Sequence, residues 1–227
     1  MQGQLPVVTF DLFSALIDAR SGGATALGGI GAARGWPRTG HEVYDEWDRR
    51  NKAAQRACTR WVPYATLARE ALARTYAALG LEGDARDDLE RVLTSLPEWP
   101  LWEDVAETMP VLGERHRIGL LSNVDDHLFR RTVAARYIEP GLVLTSERLR
   151  AYKPDPRIYL RARAALGPMV HVATSARDVR GALEAGVPVV RLRRPGHHLD
   201  PGGPTPRLVA DGLADVPALV ERSRCGG

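Results

Sequence analysis

The sequence is short of cysteine, of lysine and of long apolar runs, and each shortage removes a class of protein. Two cysteines, Cys58 and Cys225, in 227 residues cannot build the disulfide framework of a small secreted scaffold. No apolar stretch approaches the ~20 residues that a membrane-spanning helix needs. Met1-Gln2-Gly3-Gln4 shows neither the basic nor the apolar region of a signal peptide. A cytoplasmic enzyme without membrane contact is the expectation. Basic blocks are missing as well. The net charge of +3 invites nucleic acid, but acidic residues interleave with the basic ones, as in Asp45-Glu46-Trp47-Asp48-Arg49-Arg50. The densest group, Arg191, Arg193 and Arg194, is too short for a binding footprint, so nucleic acid is not an expected partner. Lysine is scarcest of all: among 31 Lys and Arg residues only Lys52 and Lys153 are lysines. A lysine kept in so Arg-rich a chain points to a place that needs a compact ammonium rather than a planar guanidinium. For Lys52, in a polar helical run, chance is the simpler explanation.

What is present reads as one large α/β domain with an insert. Apolar residues make up 44% and charged residues 26%, enough for a sizeable core. Leu5-Pro6-Val7-Val8-Thr9-Phe10 is short, β-branched and stopped by Asp11, the pattern of a buried strand. A Gly-rich stretch, Ser21 to Gly31, follows; its glycines are not ordered as the dinucleotide-binding G-x-G-x-x-G. From His41 to Leu96 three apolar stripes keep helical spacing, broken at Pro63 and Gly80 and closed before Pro97. Alternation then resumes. Strands are expected at Arg117–Leu121, Leu142–Leu144, Met169–Ala173 and Val187–Arg191, and helices at Asp125–Tyr137, Pro156–Leu166, Arg177–Ala185 and near Val216–Val220. Short buried strands alternating with amphipathic helices predict a doubly wound parallel sheet, in which ligands bind beyond the carboxyl ends of the strands.

Reactive side chains stand at four such ends. Asp11 follows the first strand, Ser122-Asn123 the second, Lys153 lies in the loop after the third, and Thr174-Ser175 with Asp178 follow the fourth. Any one of them is a common turn former or helix cap. Together they place two carboxylates, a hydroxyl with an amide, and an ammonium at one crevice. The histidines and the first cysteine read differently: His171, inside a strand, as a satisfied core residue, His197-His198 as a loop pair without metal-ligand spacing, and Cys58 as packing.

Phe10-Asp11-Leu12-Phe13-Ser14-Ala15-Leu16-Ile17-Asp18, Leu121-Ser122-Asn123, Lys153-Pro154-Asp155-Pro156-Arg157-Ile158-Tyr159, and His171 to Asp178 with Gly181-Ala182 resemble, in that order, the four motifs of the haloacid dehalogenase superfamily. The pattern is nearest to its L-2-haloacid dehalogenases. The resemblance implies a Rossmann-like core of residues 1–18 and 97–227 with a helical cap, residues 19–96, inserted after the first strand. It implies Asp11 as a nucleophile that forms an aspartyl ester, with Lys153, Ser122 and Asp178 as its catalytic company. Phe13, Asn123, Ser175, Thr174, Arg50 and Tyr159 are then the expected substrate contacts, and a homodimer through the cap the expected assembly. Trp47, Trp61 and Tyr64 are further candidates for a pocket lining.

Two positions separate the chemistries of that superfamily. Its phosphatases usually carry an acid two residues after the nucleophile; Phe13 stands there and has no proton to give. They also place a metal-binding Asp in the fourth motif, where Ala173-Thr174 stand. The reading is a metal-independent hydrolase of small 2-substituted carboxylic acids, with no cofactor. A Mg²⁺-dependent phosphatase holding the ion through Asp11 and Asp178 is the alternative, and a ligand-binding protein without turnover the third reading. Ala15 replaces a usual Thr, which predicts a missing hydroxyl beside the nucleophile.

Overall fold

The computed structural model describes residues 5–225, the side chains of the last two excepted. The reading of Met1–Gln4 and the side chain of Cys225 fall outside it. Apolar β-branched runs become six short parallel strands in the order β3-β2-β1-β4-β5-β6. They are β1 (Val7–Phe10), β2 (Ile118–Ser122), β3 (Val143–Thr145), β4 (Met169–Ala173), β5 (Val189–Leu192) and β6 (Leu208–Ala210). β1 lies between β2 and β4, with Val8 beside Ile118 and Val170. Val8, Phe10, Leu120, Val172 and Val190 are fully buried, as strands covered on both faces require.

Ten helices accompany the sheet: α1 (Ala19–Arg34), α2 (Gly40–Ala57), α3 (Tyr64–Leu79), α4 (Ala85–Thr94), α5 (Val105–Arg115), α6 (Asp126–Phe129), α7 (Ser146–Leu149), α8 (Pro156–Leu166), α9 (Ala176–Glu184) and α10 (Val216–Cys225). The first five intervene between β1 and β2, four of them before the chain returns to the sheet layer and α5 after it. The chain leaves and re-enters the sheet layer at one crossing, where Ile17 bridges Leu101 and the Asp18 amide donates to the Pro100 carbonyl at 2.9 Å. No helix among the described residues is long and apolar enough to cross a membrane.

The structure corrects the sequence reading in three places. The Gly-rich stretch is a helix, α1, so four helices rather than three fill the insert. Its glycines let neighbours in: a Cβ on Gly22 would stand 2.5 Å from the Trp99 ring, and one on Gly23 2.3 Å from Tyr44. The segment from Asp125 to Tyr137 is not one helix. Thr132 is extended and its hydroxyl donates to the Phe129 carbonyl at 2.8 Å, so α6 ends and a 3₁₀ turn follows at Val133–Tyr137. The loop after β5 supplies a short edge strand, β6, whose three residues carry too little periodicity to read.

Close packing of α1 on α2 yields a test. A Cβ on Gly40 would lie 2.0 Å from the Ala24 carbonyl oxygen and 2.7 Å from the Gly28 nitrogen, both rigid backbone. Gly40→Ala should therefore destabilise by about 1–3 kcal/mol. Gly29 meets nothing within 4 Å, and Gly29→Ala should stabilise by about 0.4–1 kcal/mol through helix propensity and unfolded-chain entropy. Thermal unfolding of both variants checks the pair of opposite signs.

Candidate active site

The carboxyl end of β1 hands Asp11 to the centre of the sheet edge, where the Asp11 amide is still tied to the Val172 carbonyl at 3.1 Å. The chain then makes a single π-helical turn, Leu12–Leu16, with Asp11 as its cap. That turn brings Ser14 back over the carboxylate. Asp11 Oδ2 accepts from the Ser14 amide at 3.2 Å and from the Ser14 hydroxyl at 2.6 Å. Its Oδ1 accepts from Ser122 Oγ at 3.2 Å and from Lys153 Nζ at 3.1 Å. The hydroxyl expected to be missing because of Ala15 is thus supplied one residue earlier.

Lys153 reaches Asp11 from a distant loop because Asn123 grips its backbone at both ends. The Lys153 amide donates to Asn123 Oδ1 at 2.8 Å, and Asn123 Nδ2 donates to the Lys153 carbonyl at 3.1 Å. The ammonium is buried, with 3% of its side chain exposed, and also donates to Asp178 Oδ2 at 2.5 Å. Asp178, in the first turn of α9, is closed in by Tyr159, whose hydroxyl donates to Asp178 Oδ1 at 2.8 Å. His171 completes the group. Its Nε2 lies 3.1 Å from Asp178 Oδ2 and 3.3 Å from Lys153 Nζ, and its Nδ1 3.0 Å from the hydroxyl of Thr9, its register partner on β1.

Burial pushes both carboxylates up, but it loses. The Lys153 charge, the Ser14 hydroxyl and the Lys153 hydrogen bond hold Asp11 below its ordinary value despite the repulsion of Asp178. Lys153 and then His171 hold Asp178 far below the usual carboxylate range. Both stay anionic at neutral pH.

A cavity of about 610 Å³ opens over Asp11, closed on the far side by the inserted helices. Phe13, Tyr44, Trp47, Tyr64, Trp99 and Trp102 give it an aromatic wall; Phe13 stacks on Tyr64 with ring centres 6.3 Å apart. Ser122, Asn123, Lys153, Ser175 and Asp178 line it as expected. His197 lines it too, held below its ordinary pKa by burial and by nearby Lys52.

Other expected contacts are elsewhere. Arg50 does not line this cavity; it pairs with Glu46 at 2.6 Å, a partner it shares with Arg49. On α2 the cavity takes Trp47, Asp48, Asn51, Lys52 and Gln55, and helical geometry turns residue 50 about 100° from residue 51. Tyr159 is fully buried behind Asp178 and reaches it rather than the cavity. Thr174 is buried, does not line the cavity, and its hydroxyl has no hydrogen-bond partner among the described residues. Trp61 lies under the Arg150 guanidinium, 4.2 Å away. Ser14, His171, Gln55 and Arg177 were missed. The only sequence signal for His171 was its polar side chain inside an apolar strand.

Mg²⁺ through Asp11 and Asp178 does not fit this arrangement. The Lys153 ammonium stands between the two carboxylates, and Asp178 already meets Lys153, Tyr159 and the imidazole. No group of three His, Cys, Asp or Glu side chains suited to a metal ion occurs among the described residues.

Comparison with known proteins shows the family. A family model of haloacid dehalogenase-like hydrolases matches residues 5–186. The chain is 28% identical to (S)-2-haloacid dehalogenase 4A of Burkholderia cepacia, over 87% of each chain. It is 27% identical to an (S)-2-haloacid dehalogenase of Pseudomonas sp. strain YL, over 94% of each. The structure of L-2-haloacid dehalogenase from Xanthobacter autotrophicus with chloropropionic acid covalently bound superposes with a TM-score of 0.81. It shares 21% identity, covering 96% of this chain and 99% of that one.

The depressed carboxylates predict an acid dependence with a definite sign. Their folded pKa values lie below the unfolded ones, so the unfolded chain binds more protons in acid. The stability they confer is full above the unfolded value near ~4 and is lost as pH falls toward the folded values. Denaturant unfolding between pH 6 and pH 2 should show stability falling by up to ~1.4 kcal/mol per pH unit for each such group. Asp178→Asn should cost about 3–5 kcal/mol at pH 7 by leaving Lys153 underpaired, and should flatten the acid slope.

Proposed function

The chain belongs to the haloacid dehalogenase-like hydrolases, and on that footing we propose that it displaces halide from small 2-haloacids through an Asp11 ester, without a metal. One observation carries the reading. An anionic Asp11, held by Ser14, Ser122 and Lys153, faces an aromatic cavity in which Phe13 occupies the place where a phosphatase needs an acid. Halide leaves as a stable anion and asks for no proton. The (S)-2-haloacid dehalogenases among its relatives, and the covalent chloropropionic acid in a structural neighbour, support the same chemistry.

The proposed steps balance. Asp11 Oδ1 attacks C2 of the substrate from the side opposite the halogen; a C–O bond forms, the carbon–halogen bond breaks, and halide departs with the pair. Water then adds to Cγ of the Asp11 ester. Its proton passes to the hydrogen-bonded unit of Lys153, Asp178 and His171. Charge collects on Oδ2, where the Ser14 amide and hydroxyl already point; a positioned donor of this kind is worth about 3 kcal/mol. Collapse expels the 2-hydroxy acid as an alkoxide, which takes the proton of the regenerated Asp11 carboxyl. The unit returns its own proton to solvent. Attack at C2 occurs once, so the configuration there inverts.

The proposal divides the chain at the Ile17–Leu101 crossing into a core of residues 1–18 and 97–227 and a cap of residues 19–96. The cap excludes water from Asp11, which desolvates a carboxylate that would otherwise be a weak nucleophile. Asp125 ties the two parts together. It accepts from the Tyr64 amide at 2.9 Å and the Ala65 amide at 3.2 Å, capping α3, where Pro63 offers no side-chain cap.

Purified protein should release chloride from (S)-2-chloropropionate, yield the (R)-2-hydroxy acid, and keep its rate in EDTA. Asp11→Asn should abolish the activity. Phosphate release from p-nitrophenyl phosphate that EDTA stops, with no halide release, would reverse the reading.

A further inference from the structure

Arg50, the cap arginine expected to contact substrate, is already engaged, and so are its cationic neighbours. Arg49 and Arg50 both pair with Glu46, and Arg20, which does line the cavity, forms a two-point bridge to Asp45 with both contacts at 2.7 Å. Lys52 is paired with Asp48, and Lys153 with Asp11 and Asp178. One guanidinium on the cavity wall stands apart. Arg177, in the first turn of α9, has no carboxylate partner among the described residues. It is held by neutral oxygens only, donating to Gln55 Oε1 at 2.9 Å and to the Lys52 carbonyl at 3.5 Å.

We propose that Arg177 receives the carboxylate of the substrate, so that anion recognition in this chain comes from the core helix α9 rather than from a cap arginine. The inference rests on the dehalogenase reading and names the residue that would receive the carboxylate of its 2-haloacid substrate.

Three features support the assignment. Arg177 directly precedes Asp178, so the backbone that fixes the Lys153–Asp178 contact also fixes the receptor relative to the reacting oxygen. The guanidinium is anchored but not neutralised. Gln55 Oε1 accepts from Arg177 and, at 2.9 Å, from Asn123 Nδ2, and Asn123 in turn grips the Lys153 backbone. Most of the five donors of the fork remain for a planar carboxylate, which Arg matches with two parallel bonds. Finally, Arg177 also lines a second cleft of about 570 Å³ that shares Lys52, Ser175 and His197 with the first. Arg56 in that cleft likewise has no carboxylate partner among the described residues. Glu184 and Asp200 in that cleft are both taken up by Arg180, so Arg56 and Arg177 leave it attractive to an anion.

The test separates recognition from a structural role, and from the dehalogenase reading itself. Calorimetric titration with propionate and propionamide measures binding to wild type, Arg177→Gln and Arg177→Lys, beside a halide-release assay with 2-chloropropionate. Arg177→Gln should weaken propionate about 10- to 100-fold, as loss of a charge-assisted pair predicts. Propionamide should change by less than about threefold, and Arg177→Lys should recover part of the propionate affinity. KM for 2-chloropropionate should rise with kcat much less affected, the mark of lost uniform binding. Equal losses for acid and amide would make Arg177 a mere support for Gln55 and overturn the inference, as would unchanged propionate affinity or a wild type that binds no propionate. Wild type that binds propionate through Arg177 yet releases no halide would defeat the dehalogenase reading alone.

Discussion

A single ammonium organises this protein. Lys153 Nζ meets Asp11, Asp178 and His171 within 3.3 Å, almost entirely out of solvent. Burying that many ionisable groups is costly, and the cost is offset only where every oxygen and proton has a partner. The chain meets the condition from five separate places: the end of β1, the end of β2 through Ser122, the Lys153 loop, β4 through His171, and the start of α9. A guanidinium could not replace the amine, because a planar fork cannot converge its donors on three acceptors around one atom. The retention of lysine here, in a chain that otherwise uses arginine, follows from that geometry.

The inserted helices depend on the same centre. Asn123 both clamps the Lys153 backbone and donates to Gln55 on α2, and Gln55 accepts from Arg177 on α9. Tyr152, next to Lys153, donates its hydroxyl to the Val62 carbonyl at 2.7 Å. Residues that position the reacting groups are therefore the same ones, or direct neighbours of the ones, that seat the helical layer. Displacing that layer loosens the site, and disturbing the site loosens the layer. Such coupling suits a reaction that needs water absent in one step and present in the next.

The strand ends were legible because chain order and chemistry agree there: a buried apolar run stops at Asp11, Ser122 or Thr174, and a parallel sheet puts all three at one edge. Residues on helices were not, because direction there depends on phase. α2 starts its buried stripe with Val43 and Trp47 but continues it with the polar Asn51 and Gln55, so the apolar pattern fades where Arg50 and Gln55 would have to be told apart. Ser14 was hidden for a different reason. Its hydroxyl returns to Asp11 only because the turn is π-helical, and nothing in Leu12-Phe13-Ser14-Ala15-Leu16 announces that geometry. His171 looked like a core residue and is one by burial; what sequence could not show was that Thr9, opposite it on β1, holds one ring nitrogen while the other faces Asp178 and Lys153.

The balance of charge at this centre bears on what it can turn over. Two carboxylates, Asp11 and Asp178, face one ammonium there, with His171 beside them. A phosphate ester would add up to two more negative charges against Asp11, with Phe13 unable to protonate the leaving oxygen. A monocarboxylate adds one charge, and it can be placed at Arg177, away from the bond being broken. In the proposed reaction negative charge would develop on the departing halogen, inside a cavity with an aromatic wall. The division is coherent: the core holds and neutralises charge at fixed points, while the helical layer supplies an apolar surface against which a poorly solvated carboxylate becomes reactive.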